Sequence, residues 1–373
     1  MISDVAVVNS PRAIAFHLPQ FHPIPENDEW WGTGFTEWTN VAKARPAFPG
    51  HYQPHLPADL GYYDLRLPEA RQAQADLARA YGISGFLYYH YWFSGKRVLH
   101  RPVDDILNSG KPDFPFCLCW ANENWTRTWD GGSNQLLLGQ TYSDADDEAH
   151  IRHLLPFLAD SRYIRVDGRP FFMVYRTEQL PNPARTAEVW REIALREGVG
   201  EIFLARVDPL AKTEDPKLIG FDAAVEFAPD WRAAQRDPTG LVHSLRAKLG
   251  LIHRGRLQNK VLEYDDLVRR MLLKPTPNYT RYRCVTPGWD NSARREKGAT
   301  MFINNTPESY GRWLATVAEL ESLSKRPANQ QLVFINAWNE WAEGNHLEPD
   351  RRWGRAFLEA TLAALQRVAS RTG

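Results

Sequence analysis

The sequence predicts a single-domain (β/α)₈ barrel, the TIM-barrel fold, with long loops after its strands. Three observations support this prediction. Eight short apolar segments have the composition of buried strands. Most of them are separated by segments with helical periodicity, as parallel strands require. Polar and aromatic residues follow several of the apolar segments, which is typical of the barrel rim where functional side chains gather.

The predicted strands and helices extend over almost the whole chain. Proline in the first turn of a segment and glycine just beyond its end mark a helix, as Pro68 and Gly82 do for the first one. The predicted helices span residues 68–81, 143–158, 183–197, 306–323 and 353–368. The predicted strands span residues 12–18, 83–93, 114–120, 170–175, 201–207, 221–227, 282–286 and 332–335.

We expect one domain over residues 1–373, with a less regular insertion at about 229–280. Basic residues, among them Arg246 and Lys248, are concentrated at 246–274 in this insertion. A run of basic residues usually forms a solvated helical face. The alternative is peripheral contact with an anionic carrier, such as a lipid-linked glycan, a nucleotide sugar or a membrane surface.

Composition argues against several classes of protein. Lys+Arg and Asp+Glu number 45 each, so the net charge gives no sign of a nucleic-acid partner. No apolar run reaches 18 residues, so no transmembrane segment is expected. The three cysteines, Cys117, Cys119 and Cys284, form neither a zinc spacing nor a disulfide framework. Because the first residues also lack signal-peptide features, we expect a cytoplasmic protein.

The segment VFINAWNEWAEGNHLEPD at 333–350 is the strongest candidate for a catalytic site. It begins in the eighth predicted strand and continues into acids and indoles. Glu340 and Glu343 are three residues apart, so on a helical turn their Cβ atoms would lie about 5–6 Å apart. Two carboxyls this close repel each other as anions, which raises one pKa and lets an acid and a base coexist. We therefore predict Glu340 and Glu343 as catalytic residues; solvated acids at a helix start are the alternative.

The 14 tryptophans suggest carbohydrate binding, because aromatic faces stack on the flat apolar faces of sugar rings. A tryptophan in the core is the alternative. No cofactor and no metal are expected. His17, His90 and Glu123 at the barrel mouth are assigned to hydrogen bonds rather than to metal ligation. The predicted substrate-binding residues are His17, Gln20, Trp38, Tyr88, His90, Trp92, Trp120, Asn122, Glu123, Trp125, Arg127, Tyr175, Arg206, Glu226, Trp289, Trp338, Asn339 and His346.

Four long sequence blocks make the chain resemble a known family. The blocks are GFTEWTNV at 34–41 with GHYQP at 50–54, YGISGFLYYHYWF at 81–93, CWANENWTR at 119–127, and NAWNEWAEG at 336–344 followed by LEPD. They are similar to those of the WbsX family of bacterial polysaccharide-biosynthesis proteins, whose domain is similar to glycoside hydrolase family 99. The resemblance covers nearly the whole chain.

This resemblance implies a (β/α)₈ barrel that acts on a glycan. In family 99 hydrolases a motif like EWxEG supplies both catalytic carboxylates, and these enzymes act on α-mannosides inside a chain. The first carboxylate deprotonates the sugar 2-hydroxyl, which attacks the anomeric carbon and gives a 1,2-anhydro intermediate. The second protonates the leaving group and later activates water. The motif match implies that Glu340 is the base and Glu343 the acid/base, with retention of configuration.

Several functions remain open at this stage. One is a retaining glycosidase or transglycosidase acting on a bacterial polysaccharide or oligosaccharide. Another is a glycosyltransferase of O-antigen (lipopolysaccharide) or capsule biosynthesis, although the aspartates at 144–147 lie in a predicted helix and Asp104-Asp105 in a loop, so neither stands out as a metal-diphosphate motif. A third is a non-catalytic glycan-binding barrel. A different pairing, with Glu123 as the acid and Glu340 as the nucleophile, predicts carboxyls about 5–5.5 Å apart. A monomer and a dimer are equally compatible with the sequence.

Overall fold

Eight parallel strands form a closed barrel, which confirms the predicted fold class. The computed structural model describes residues 10–127, 135–208, 214–232, 253–295 and 297–372. Each strand pairs in parallel with the next, and the last pairs with the first, which closes the barrel. The barrel strands are β1 (Arg12–His17), β2 (Ile83–His90), β3 (Phe116–Trp120), β4 (Arg169–Val174), β5 (Phe203–Val207), β6 (Ala223–Val225), β7 (Arg281–Val285) and β8 (Leu332–Ile335).

Helices follow the strands and cover the outside of the barrel. The described α-helices are α1 (Pro25–Trp31), α2 (Glu37–Lys43), α3 (Pro68–Ala80), α4 (Arg101–Ser109), α5 (Asp144–Ala159), α6 (Pro183–Arg196), α7 (Arg254–Gln258), α8 (Tyr264–Leu272), α9 (Pro307–Ser322) and α10 (Ala356–Thr372). Within the ranges that the structure describes, no helix is both long enough and apolar enough to span a bilayer.

Shorter elements occupy the loops between strands and helices. The 3₁₀ helices are Thr177–Gln179, Pro216–Ile219, Asn291–Ala293, Ala328–Gln330 and Trp341–Glu343. The short strands are Trp92–Phe93, Lys96–Arg97, Trp125–Thr126, Leu136–Leu138, Arg165–Val166, Lys260–Glu263, Thr300–Ile303, Asn339–Glu340 and Asn345–His346. Between β5 and β6, the described residues 214–222 contain a 3₁₀ helix where the other strands are followed by α-helices.

The five predicted helices correspond to α3, α5, α6, α9 and α10, with ends that differ by up to four residues. Capping residues explain why the predicted starts of α5 and α9 lie within one residue of the observed ones. The Ser143 hydroxyl accepts from the Asp146 N–H at 3.1 Å before α5, and Thr306 forms a capping box before α9. Helices α1, α2 and α4 are seven to nine residues long and were not predicted. So few residues contain too little periodicity to distinguish a helix from a loop.

The barrel strands are covered on both faces. All residues of β3 and of β8 are buried, because the barrel interior covers one face and the helices cover the other. Inside the barrel the Phe16 and Phe334 rings lie 6.2 Å apart. Consequently the composition of a strand does not reveal which side chains point inward, and this matters for the site.

The predicted insertion at 229–280 is described only in part. Residues 233–252, which include Arg246 and Lys248, lie outside the described residues. After them come α7, the strand Lys260–Glu263 and α8. The α8 residue Tyr264 packs its ring against Trp313 of α9 at 6.1 Å. Helix α8 therefore takes the place of a barrel helix.

Several basic residues of this stretch are paired with acids. Arg269 and Arg270 both bond Asp266, the latter at 2.8 Å. The Lys274 ammonium lies 2.9 Å from Glu226 and 2.7 Å from Asp230. These ion pairs account for the charge of 266–274 within the fold.

Candidate active site

The chain forms a tight hairpin at the barrel mouth after β8. The strand Asn339–Glu340 pairs antiparallel with Asn345–His346, and the 3₁₀ helix Trp341–Glu343 lies between them. Gly344 closes the turn with φ of +56°, and a Cβ there would lie 3.0 Å from the Asp290 Cβ and 3.2 Å from the Asp290 backbone nitrogen. Only glycine accommodates both the left-handed backbone and the close approach. The turn directs Glu340 and Glu343 into the same cavity.

Glu340 and Glu343 are largely withdrawn from water. Their side chains are 9% and 17% exposed, respectively. The cavity that they line has a volume of about 210 Å³. Solvated acids at a helix start would be much more exposed, so the arrangement fits a reaction site better than a solvated helix end.

One arginine, Arg294, joins three carboxylates at this cavity. Its Nη1 donates to Glu343 Oε1 at 2.7 Å, and its Nη2 donates to Glu340 Oε1 at 3.0 Å. The same Nη2 lies 3.2 Å from Glu37 Oε2. If all three acids were ionised, the cluster would have a net charge of −2 in a buried place, which is costly. The cluster therefore favours keeping a proton.

The pKa shifts of these groups have the same origin. Burial raises the pKa of Glu340 well above its ordinary value; the Arg294 charge opposes this rise, and the Glu343 and Glu37 carboxyls add to it. Burial likewise raises the pKa of Glu343 against the opposing charge of Arg294. Burial alone would lower the pKa of Arg294, but the three carboxyls raise it, so the guanidinium stays charged. The pair can thus hold a proton near neutral pH, as an acid/base pair must.

Asp290 positions Arg294 from behind. Its Oδ2 accepts from His51 Nε2 at 2.7 Å and from Gln53 Nε2 at 2.8 Å. Its Oδ1 accepts from the Ser292 N–H at 2.9 Å and starts the 3₁₀ helix that ends just before Arg294. The Asp290 N–H donates to the Glu343 carbonyl at 2.6 Å. His51 and Gln53 therefore act on the acid pair through this aspartate.

Glu37 reaches the cluster because its neighbour Trp38 anchors α2. The Trp38 ring packs 5.6 Å from that of Trp341 and 4.6 Å from that of Phe21. Its Nε1 donates to the Tyr63 carbonyl at 2.8 Å. Trp38 was predicted as a sugar contact, but the structure places it in the core.

Glu348 supports the turn that carries Glu340 and Glu343. Its Oε2 accepts from Tyr63 Oη at 2.8 Å and from Trp341 Nε1 at 2.6 Å, and its Oε1 accepts from Gln74 Nε2 at 2.7 Å. Burial raises the pKa of Glu348 to about 7. All three donors come from elements packed around the turn, so Glu348 fixes the turn to the barrel.

Part of the predicted substrate-binding set lines the cavity with the two acids. Glu123 does so while it accepts from Arg176 Nε at 2.8 Å. Gln20 Nε2 and Trp289 Nε1 are buried donors that have no hydrogen-bond partner among the described residues. Five predicted binding residues line the cavity: Gln20, Glu123, Trp125, Tyr175 and Trp289.

The predicted residues of β2 lie on the other face of the strand. Successive side chains of a strand point to opposite sides. Tyr88 packs against His17 with ring centroids 4.5 Å apart, and His90 Nε2 lies 3.0 Å from His150 Nε2 of α5, so both face the helices. Tyr89, which was not predicted, lines the cavity, and so does Tyr91. The assignment was therefore shifted by one residue.

Three more predicted residues pack beneath the helices. His17 Nε2 lies 3.1 Å from Gln74 Oε1 of α3. The Trp120 ring lies 6.0 Å from that of Trp190, and its Nε1 donates to the Trp92 carbonyl at 3.0 Å. Trp92 Nε1 donates to an aspartate of α5 at 2.9 Å. None of the three lines the cavity.

Two predicted asparagines bond backbone instead of lining the cavity. The Asn122 carboxamide bonds both the N–H and the carbonyl of Arg176, at 2.8 and 2.9 Å. The Asn339 carboxamide does the same for Leu18, at 2.8 and 3.0 Å. Both side chains tie loops at the barrel mouth together.

The remaining predicted residues also have partners outside the cavity wall. These are Arg127 over the Trp31 ring, Arg206 on the Glu214 carbonyl, Glu226 on Lys274, Trp338 5.1 Å from the Phe86 ring, and His346 beside His55. These five side chains pack against neighbouring rings or attach loops to the barrel.

Comparisons with known proteins show the family of this chain. Residues 13–361 match the family model described as "Glycosyltransferase WbsX". Proteins named WxcX from two strains of Xanthomonas campestris pv. campestris are each 46% identical over 355 residues, which cover 95% of this chain and 50% of each relative. This chain thus spans about half the length of the curated relatives it matches.

Solved structures share the fold at low sequence identity. A glycoside hydrolase family 99 endo-alpha-mannosidase from Bacteroides thetaiotaomicron superposes with a TM-score of 0.58 at 15% identity, covering 96% of this chain and 98% of that one. A structure named "Glycoside hydrolase-like protein" gives a TM-score of 0.61 at 13% identity, covering 98% of this chain and 96% of that one. At these identities the likeness shows the fold.

Proposed function

Because this chain belongs to the WbsX family, we propose that it cleaves or transfers a glycosyl group of a bacterial polysaccharide or oligosaccharide. The reaction takes place in the cavity that holds Glu340 and Glu343. The observation that carries the proposal is the buried carboxyl pair bridged by one guanidinium, that of Arg294. Glycosidic chemistry needs two carboxyls of this kind: one protonates the leaving oxygen and the other acts as base or nucleophile.

We assign the two roles by depth, because burial raises the pKa of both acids and does not distinguish them. Glu343 is the more exposed of the two side chains, at 17% against 9%, so it acts as the acid/base that meets the leaving group and then water. Its raised pKa keeps it protonated for the first step. Glu340 lies deeper and deprotonates the sugar 2-hydroxyl. A raised pKa makes its ionised form a stronger base.

Arg294 holds the geometry of the Glu340 and Glu343 carboxyls and stabilises their ionised forms. The transition state is oxocarbenium-like, so charge moves between substrate and carboxyls during the reaction. A fixed guanidinium bonded to both carboxyls at 2.7 and 3.0 Å holds their geometry and stabilises the carboxylate form whenever a proton leaves. Asp290 holds the segment that ends at Arg294, so the geometry exists before substrate arrives.

The cavity wall suits a sugar. Tyr89, Tyr91 and Trp125 offer aromatic faces to the apolar faces of a pyranose ring. Gln20 Nε2 and Trp289 Nε1 are donors without partners among the described residues, so each is available to a sugar hydroxyl. A buried donor without a partner costs free energy, and a bound hydroxyl removes that cost.

A second cavity adjoins the first and supports a substrate of more than one sugar. Its volume is about 180 Å³, and it shares Gln20, Trp125 and Arg294 with the first cavity. Trp30 and Trp31 of α1 line its other side. A glycan that enters past Trp30 and Trp31 would contact aromatic rings along its whole path to the two acids. We therefore propose an oligosaccharide or polysaccharide substrate.

Glycosyl transfer is the second candidate, and the family description favours it. If the donor is a nucleotide sugar, the roles assigned above to Glu340 and Glu343 do not apply. The two candidates differ in the donor, which is a glycan in one case and a nucleotide sugar in the other.

Product analysis separates these candidates. The purified protein is incubated with a panel of bacterial polysaccharides and oligosaccharides, with and without nucleotide sugars, and the products are identified by mass spectrometry. Shorter or rearranged glycans formed without nucleotide would support the glycosidase or transglycosidase proposal. Growth of a glycan only with a nucleotide sugar, together with release of nucleotide, would replace it with the transferase.

A further inference from the structure

We infer that His55, His346 and Asp350 form a binding site for a divalent transition-metal ion, outside the carboxyl cluster. All three residues are buried, and their ligand atoms lie within 4.8 Å of one another. In the part of the chain that the structure describes, they are the only three His, Cys, Asp or Glu residues grouped in this way. Two imidazoles and one carboxylate are a donor set that suits zinc and its neighbours.

The distances fit metal coordination. His55 Nδ1 lies 2.9 Å from His346 Nε2, and His346 Nε2 lies 4.0 Å from Asp350 Oδ2. In a tetrahedral site with metal–ligand bonds of about 2.0–2.1 Å, two ligand atoms lie about 3.3 Å apart. The nitrogen–nitrogen distance is slightly shorter than this and the nitrogen–oxygen distance slightly longer, so a small movement of the side chains would bring these ligand atoms within bonding distance of one ion.

Surrounding hydrogen bonds orient two of the three donors. His346 Nδ1 lies 2.9 Å from the Glu348 carbonyl, to which it donates, so Nε2 presents its lone pair. Asp350 Oδ1 accepts from the N–H groups of Arg352 and Trp353 at 3.0 and 2.6 Å. This fixes the carboxylate so that Oδ2 faces the imidazole.

The charges around the site are mixed. The Asp350 and Asp290 carboxylates place negative charge near His55, where the proposed ion would bind. The Arg352 guanidinium acts against a cation, but it stacks over the Tyr52 ring at 4.8 Å.

A third cavity reaches the site at one of its ligands, His55. It has a volume of about 220 Å³ and is lined by His55 together with His51, Tyr52 and Arg352. It provides room for water to complete the coordination of an ion held by three protein ligands.

The proposed ion would stabilise the catalytic turn without joining the reaction. His346 lies in the strand that pairs with Asn339–Glu340. His55 belongs to the loop before α3, just after the residues that hold Asp290. Joining the two would fix the hairpin that carries Glu340 to this loop.

The same atoms have a simpler arrangement, in which His55 Nδ1–H donates to His346 Nε2 without any metal. A second histidine pair provides the matched control. His90 Nε2 and His150 Nε2 are also buried and lie 3.0 Å apart. They belong to no such group of three among the described residues, so they should bind no ion.

Metal content tests the inference independently of catalysis. Untagged wild-type protein and the variants His346→Gln, His55→Gln and His150→Gln are stripped with a chelator, dialysed against Zn²⁺ or Co²⁺, and measured by elemental analysis and Co²⁺ absorption. We expect one ion per chain in wild type and in His150→Gln, and loss of that ion in the other two. Circular dichroism confirms that each variant is folded.

Two results would overturn the inference: a wild-type protein that retains no ion after dialysis, or equal loss of the ion in His150→Gln. Because the readout is metal content, a protein without glycosidic activity can still pass this test. Conversely, an active enzyme that binds no metal would leave the proposed function standing and remove this site.

Discussion

The Arg294 guanidinium donates to Glu343 at 2.7 Å and, through its other terminal nitrogen, to Glu340 at 3.0 Å. A single cation therefore controls the charge of both proposed catalytic groups. The arrangement is buried, and Glu37 adds a third carboxylate to it. Several measurable consequences depend on this contact.

Replacing Arg294 by Met should destabilise the protein by about 3–5 kcal/mol at neutral pH, because buried carboxylates lose their cation. The loss should depend on pH in a definite direction. Without the cation the folded-state pKa values of the acids rise further above the unfolded ones, so stability is present at low pH and is lost as pH rises through the raised values. Thermal melting at pH 5 and pH 8 measures this. A variant equally destabilised at both would contradict the ionic role.

Arg294→Lys is the matched control. It keeps a positive charge but lacks the planar pair of nitrogens that bonds both acids. We expect it to recover most of the stability at pH 8 but little of the turnover.

The wild-type rate should fall on the alkaline side. Burial raises the pKa of Glu343, and only its protonated form serves as the acid. As pH rises through that raised value, the acid is lost and kcat/KM decreases, at a pH above the ordinary value for glutamate. A kcat/KM profile between pH 4 and 10 measures this. A rate that keeps rising up to pH 10 would show that no carboxylic acid donates the proton.

His51→Ala should reduce turnover, although His51 does not line the cavity that holds Glu340 and Glu343. It removes the 2.7 Å bond that holds Asp290, which positions the segment ending at Arg294. We expect kcat to fall by about 10- to 100-fold, with little change in KM. Losses of that size are usual when a residue that positions a functional group from behind is removed. His51→Gln keeps a donor and should recover part of the rate. A rise in KM alone would indicate a direct substrate contact.

His17 should make the fold sensitive to acid. Burial lowers its pKa to about 3, so the folded state keeps it neutral while the unfolded state takes up a proton below pH 6.5. The stability is present above pH 6.5 and is lost as pH falls toward the folded value. Between pH 6.5 and 5 the loss from this group is about 2 kcal/mol.

Urea unfolding at several pH values tests the His17 prediction. The His17→Gln variant loses the 3.1 Å contact with Gln74 and should be less stable at pH 7.5, but its stability should fall less steeply toward pH 5. Parallel pH curves for the variant and the wild type would show that His17 is not the titrating group.

The sequence predicted the barrel because its signals are local. Each barrel strand is a short apolar segment, and starts such as Ser143 and Thr306 have recognisable caps. The acid pair was found for the same reason, since Glu340 and Glu343 are only three residues apart.

The cavity wall was harder to predict, because the barrel strands are buried on both faces. Tyr88, Tyr89 and His90 are all compatible with either face in the sequence, and only the tertiary structure shows that the middle one points inward. The tryptophans at 38, 92, 120 and 338 turned out to be core residues, because a tryptophan suits a packed core as well as a sugar-binding surface.

Arg294 was missed because its importance depends on contacts distant in sequence. It lies 46 residues from Glu340 and 257 residues from Glu37. One signal was available: two buried carboxyls require a nearby cation, and the segment after β7 contains Arg294 and Arg295.

The most direct test of the proposed function is turnover by Glu340→Gln and Glu343→Gln on a glycan that the wild type converts, with melting temperatures measured on the same samples. The proposal predicts that both variants fold like wild type and lose at least about 100-fold in kcat, since general acid–base groups contribute that much. Glu123→Gln should retain much more activity. Near-normal turnover by Glu343→Gln would contradict the assigned pair. Loss of activity in Glu123→Gln and Glu340→Gln, with Glu343→Gln still active, would favour Glu123 as the acid.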